Sequence, residues 1–216
     1  MINKFDIRKK KLFDSDSVID ENTNIDYFIP PNQGWNYIRL LDHPEDYFEN
    51  KRNDTCGKWL IFVPDNDFIN VFRKLAKLTK ELQLTSCFKA SGKKDDRGLH
   101  VFCVYCMNYR NIKFIRKIAE VLLKEGFLIK YGYKYKNDNT YALFFKTDET
   151  THYKSKASGE HLTLFRYTNI NQLFVKEFIN DKPNWKLVEY DEEKGLTENF
   201  EMHLDILSMN DLNISD

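Results

Sequence analysis

The sequence predicts an α+β fold: a mainly antiparallel sheet with helices packed on one face, a two-layer sandwich. Three observations carry this. Short apolar runs rich in β-branched and aromatic residues recur between residues 57 and 146, and two amphipathic runs at helical spacing separate them. The connection between the second and third runs, and that between the fourth and fifth, is too short for a parallel crossover. Elements of both kinds alternate irregularly, which favours helices gathered on one side of an antiparallel sheet.

The elements follow in order. Lys58-Trp59-Leu60-Ile61-Phe62-Val63, closed by Pro64, reads as a strand over 57–63. Asp65 or Asp67 is placed to cap a helix whose apolar face is Phe68, Val71, Phe72, Leu75, Leu78 and Leu82. Residues 84–90 read as a second strand, 91–98 as a turn, and 99–107 as a third strand, apolar almost throughout and therefore central. A second helix is expected over 110–125, with Ile112, Ile115, Ile118, Ala119 and Leu122 on one face and Gly126 as its stop. Residues 127–136 alternate, with Phe127, Ile129, Tyr131, Tyr133 and Tyr135 against Lys130, Lys134 and Lys136, and predict a strand. A turn at 137–139 leads to another strand at 140–146. Beyond it a strand is expected at 161–167, a short helix near 170–179, a last strand from Trp185 to Tyr190, and a helical turn or two near 198–208.

Length favours one domain. A mobile N-terminal arm is expected over 1–29, a single α+β domain over 30–190 and an acidic tail over 191–216. Pro30-Pro31 marks a turn after which Trp35, Tyr37 and Ile38 can dock on the body. The net charge of zero hides a partition. Residues 51–186 hold 26 Lys+Arg against 14 Asp+Glu, residues 1–50 hold 6 against 10, and residues 187–216 hold 1 against 9. A basic body between acidic ends suits an anionic partner, or tails that shield the body; the plainer account is a solvated Lys-rich surface balanced by acidic termini.

Several classes are disfavoured. There is no Gly-rich phosphate loop and no nucleophile elbow. Cys103 and Cys106 have CxxC spacing but lie in a strand, where i and i+3 point to opposite faces. The histidines lack metal-site spacing, so neither a metal nor any other cofactor is expected. No apolar run approaches the ~20 residues of a membrane span. A reducing, cytoplasmic setting and no membrane partner are the expectation.

What remains is a set of cations in or beside strands: Lys58, Lys89, Arg97, Lys130, Lys134, Lys136 and Arg166. A lysine inside an apolar strand is costly unless its ammonium reaches water, a carboxylate or a phosphate. Converging Lys and Arg side chains suit a phosphate, and burial among cations lowers a lysine's pKa toward the range of a base. Snorkelling to solvent is the competing account. Trp35 and Trp185 lie in less regular segments and are candidate stacking platforms, whereas Trp59 reads as core.

The strand GKWLIFVP, FKAS, HVFCVY and the later YK-rich hairpin resemble, over roughly residues 30–170, the family named for a basophilic leukaemia-expressed protein (Bles), labelled phosphothreonine lyase-like. The resemblance implies a curved antiparallel sheet like that of the cap-binding translation initiation factors. It also implies a link to phosphothreonine lyases, in which a lysine takes the α-proton, a histidine protonates the leaving oxygen and arginines hold phosphate. Their Lys-x-His corresponds here to Lys58-Trp59-Leu60, so the lysine is kept and the histidine is absent. The base would be Lys89, the phosphate arginines Arg97 and Arg166, and His100 the candidate substitute acid. Losing general-acid help removes a factor of ~10²–10⁴ in rate. The leading expectation is therefore a phosphate-recognising domain for a phosphopeptide, nucleotide or RNA end, degenerate as a lyase. An active β-eliminating lyase and a non-enzymatic partner of an acidic protein are the alternatives.

Overall fold

A computed structural model describes residues 25–28, 35–40, 56–135, 139–148, 163–179, 182–191 and 195–196. Its strands are β1 (Ile25–Phe28), β2 (Trp35–Leu40), β3 (Gly57–Pro64), β4 (Cys87–Ser91), β5 (Leu99–Cys106), β6 (Tyr133–Lys134), β7 (Tyr141–Thr147), β8 (Phe165–Thr168), β9 (Leu173–Ile179), β10 (Lys182–Leu187), β11 (Tyr190–Asp191) and β12 (Gly195–Leu196). The helices are α1 (Phe68–Leu82), preceded by a 3₁₀ turn at Asp65–Asp67, α2 (Ile112–Lys124) and α3 (Phe127–Tyr131). Among the described residues, ten strands form one sheet in the order β1-β2-β4-β5-β3-β7-β8-β9-β10, with β6 also on β7, while β11 and β12 pair separately. Every described pair is antiparallel. The fold class is thus the expected one.

Alternation along each strand divides the side chains between two faces. Trp59, Ile61 and Val63 of β3, Phe88 and Ala90 of β4, Phe102 and Val104 of β5, Leu143 and Phe145 of β7, and Phe165 and Tyr167 of β8 form the main core with the buried faces of all three helices. Trp59 is fully buried, edge-on to Phe145 and Tyr167, and its indole N–H donates to the Ile115 carbonyl of α2 at 3.2 Å. One side chain thereby ties sheet to helix. The intervening residues form a second, smaller cluster on the other face: Cys56, Leu60, Cys87, Cys103, Tyr105 and Met107, with Trp35, Phe62 and Val101 packed against it. No residue of α1, α2 or α3 belongs to it.

Four local expectations change. Residues 127–131 are helix α3, not strand: after Gly126 turns the chain at φ +81°, Phe127 and Leu128 bury together and Tyr131 stacks one turn on from Phe127, 6.3 Å between rings. Residues 173–179 are strand β9, not helix; Leu173 and Val175 enter the core while Lys176 is buried too, and two-sided burial erases the period-2 signal. Asp67 sits at the N-cap of α1 without a side-chain cap bond, and Asp65 instead meets Lys94 and His100. Ile25–Phe28, within the stretch read as an arm, pairs with β2. The tail segment 198–208 lies outside the described residues.

Gly132 separates α3 from β6 where the backbone leaves no room for a side chain: a Cβ there would collide with the Leu128 carbonyl and lie 3.0 Å from the Ala142 carbonyl oxygen. Gly132→Ala is expected to lower stability by about 1–3 kcal/mol, as overpacking does. A urea melt with an unchanged midpoint would contradict this reading of the α3–β6 junction.

Candidate functional site

The second face of the sheet gathers the cations. Lys58 of β3 projects to it, only 5% exposed, between Tyr105 of β5 and Lys146 of β7, its two cross-strand neighbours. Lys89 of β4 lies across from Cys103, which in turn lies across from Leu60. The row continues through Phe144, Arg166 and Phe174. Lys58 and Lys89 share the Tyr105 ring, with their Nζ atoms 5.6 and 5.4 Å from its centroid, and Lys89 Nζ also lies 4.5 Å from the Trp35 ring. Lys58 forms a salt bridge with Asp148, just past β7, whose backbone N–H donates to the Cys56 carbonyl at 2.8 Å. Among the described residues, three ammonium groups and one carboxylate are thus brought to one face by β3, β4 and β7.

Like charges directly across an antiparallel pair repel, and Lys58 opposite Lys146 is such a pair. The titration behaviour follows. Burial is the main cause that lowers the Lys89 pKa, and Lys58 lowers it further. Burial also lowers that of Lys146, again with a contribution from Lys58. Burial pushes the Cys103 thiol the other way, up, so at neutral pH it is uncharged and offers these lysines no counter-charge. A Lys89 with its proton held weakly is chemically a base or a nucleophile as well as an anion ligand.

Arg166 and Trp185 belong to the same face, four and six strands from β4. At ~4.8 Å per strand, the Lys89 and Arg166 backbones are ~19 Å apart. The Arg166 guanidinium carbon lies 4.4 Å from the Phe174 ring, 4.9 Å from Trp185 and 5.8 Å from Tyr135, and its Nη1 donates to the Tyr135 hydroxyl at 3.2 Å. Its Nε is buried and meets no acceptor. Lys176 Nζ sits 5.9 Å from the Trp185 ring. Arg166 is therefore the head of a second, aromatic-lined centre rather than a partner of Lys89.

The other candidates disperse. His100 lies on the helix-covered face, buried and edge-on to Phe68; its Nδ1 is 2.9 Å from the Ser91 carbonyl and its Nε2 2.9 Å from Asp65 Oδ1. Both neighbours are acceptors, and β5 alternation turns the ring away from Lys89, so it does not substitute for the absent acid. Arg97 is in the β4–β5 turn, bound to Asp95 at 2.7 Å and stacked on Phe62 at 4.3 Å, at the rim of the second face. Lys130 is on α3, paired with Asp67 at 3.1 Å, where hydrogen bonds to Tyr131 and then Asp67 hold its pKa above the usual lysine value. Lys134 reaches over Tyr141, toward the helix layer. Lys136 lies outside the described residues. Lys146 and Lys176 were missed by sequence reasoning; register with Lys58 and with Trp185 is the signal that finds them, and it needs strand pairing to be known.

A family model described as Basophilic leukemia-expressed protein Bles03 matches residues 50–151. The match supports the family resemblance over a span that includes Lys58, Lys89, Cys103, Tyr105 and Lys146 and stops short of Arg166 and Trp185. No curated protein matches the chain.

Lys58→Met should raise the Lys89 pKa without restoring it fully, because burial, the larger cause, remains. Both effects have one sign: removing Lys58 deletes a repelling charge and leaves Asp148 to stabilise the Lys89 ammonium. In the wild-type chain the unfolded state binds more protons than the folded one between the lowered pKa and the ordinary lysine value. Stability contributed by Lys89 therefore rises with pH through that window. A Lys89 side-chain NMR titration that does not move in Lys58→Met would refute the coupling.

Proposed function

We propose that this chain is a phosphate-recognising α+β domain of the Bles type that binds a phosphorylated or otherwise anionic ligand on the second face of its sheet. The observation that carries this is the triplet Lys58, Lys89 and Lys146, brought onto one face by register and bordered by Trp35 and Tyr105. Holding ammonium groups opposite one another away from water costs stability, and an anion among them offsets both the repulsion and the desolvation. Asp148 supplies part of that compensation, and a doubly charged phosphate supplies more. A sheet like that of the cap-binding factors and a cytoplasmic setting belong to the same proposal. Cys56, Cys87, Cys103 and Cys106 are all buried and none of them is in a disulfide, which agrees with a reducing compartment.

The lyase reading has one observation in its favour: Lys89, Cys103 and Leu60 occupy one row, so the base candidate faces the position where the acid would stand. Against it, no imidazole reaches that face among the described residues. With Leu60 standing where the lyase histidine would be, binding without elimination is the reading proposed.

Titration calorimetry with a phosphothreonine peptide tests the site. Lys89→Ala and Lys58→Ala should each weaken binding at least tenfold relative to wild type, while Lys130→Ala, on the other side of the sheet, leaves it unchanged. Equal affinity in all four proteins would sink the proposal. Mass spectrometry of the same peptide after incubation should show its mass intact; loss of phosphoric acid would establish the lyase instead.

A further inference from the structure

Cations and aromatic rings are interspersed along the second face from β4 to β10, well beyond the lysine triplet. Lys89 on β4, Lys58 on β3, Lys146 on β7, Arg166 on β8 and Lys176 on β9 all project to it, a track of five strand spacings or ~24 Å. Between β3 and β10 the described residues bring one carboxylate to this face, Asp148 just past β7; Glu177 of β9 points to the helix side with Leu173 and Val175. Beyond the triplet the rings form a connected set. Tyr133 meets Tyr135 at 5.1 Å and Phe144 at 6.0 Å, and Phe144 meets Trp185 at 6.5 Å. Tyr133 is 53% exposed, so one plane of this set is open to a ligand. The Arg166 guanidinium is cradled by two of these rings, Tyr135 and Trp185, and by Phe174, and keeps a buried Nε–H without an acceptor, so its charge is held by π-faces rather than by a carboxylate.

A ligand with one phosphate uses one end of such a track. A ligand that repeats negative charge and carries planar rings uses all of it, since rings stack on aromatic side chains while backbone phosphates follow the cations. We infer that the second face binds a single-stranded oligonucleotide, with phosphates at Lys89, Lys58 and Lys146 and bases stacked on the Tyr133–Phe144–Trp185 set around Arg166. This rests on the phosphate site proposed above and extends it across β7 to β10. A length of about four nucleotides or more is needed to engage both ends.

The test uses the full chain and oligothymidylates of two, four and eight residues, read by tryptophan fluorescence, with the phosphothreonine peptide as comparator. Affinity should rise at least tenfold from the dinucleotide to the octanucleotide and fall with added salt, the mark of displaced counterions. Trp185→Ala and Tyr133→Ala should each cost the octanucleotide about tenfold and leave phosphopeptide affinity unchanged. Tyr133 is exposed, so its variant keeps the fold if Trp185→Ala does not. Lys117→Ala, on the outer side of α2, should change neither. An octanucleotide that binds no tighter than the dinucleotide, or binding indifferent to both aromatic variants, overturns the inference while leaving the phosphate site standing. A phosphopeptide that binds more tightly than the octanucleotide assigns the face to a protein partner. Loss of phosphopeptide binding in Lys89→Ala speaks to the phosphate site alone.

Discussion

Everything in this molecule depends on the pairing of β3 with two neighbours at once. All eight residues of β3 pair with β5, and its first four also pair with β7. That double engagement makes an early strand a central one. It seats Trp59 where the indole can reach α2, and it fixes Lys58 between Tyr105 and Lys146. Gly57 makes the pairing with β7 possible: a Cβ there would run into the Phe145 ring and come within 2.9 Å of the Lys146 carbonyl oxygen. The same residue run therefore sets the core on one face and the charge cluster on the other.

The two faces differ sharply in what they bury. One is dry and aromatic, with Phe72, Phe88, Phe102, Trp59 and Phe145 meeting edge to face beneath the helices. Its stability comes from area removed from water and from ring geometry. The other mixes thiols and rings with ammonium and guanidinium groups whose burial is unfavourable in isolation. A sheet braced on one side by its helices can tolerate that strain on the other.

Much of the body was legible from the sequence. β3, α1, β5 and α2 carry strong patterns that agree with their surroundings, and each was placed within two residues or so. α3 was misread because five residues with two aromatics and a lysine alternate as well as they stack, and only the left-handed Gly126 decides between them. β9 was misread because both of its faces are buried. The candidate site was legible in part: a lysine amid apolar residues flagged Lys58 and Lys89, but Lys146 and Lys176 become notable only once register shows what lies opposite them. His100 shows the converse. Its type suited an acid, yet one residue of alternation put it on the wrong side of the sheet.

The last strand of the large sheet has a further consequence. β10 has β9 on one side and no described strand on the other, so its outer backbone groups could template another chain. Pro183 removes a donor from that strand, and Lys182 and Lys186 stand exposed along it. Proline and lysine are what edge strands carry when they resist edge-to-edge growth. The face that holds Trp185 thus ends at a guarded border: the addition of another strand, and with it self-assembly into an extended sheet, is discouraged by these few residues.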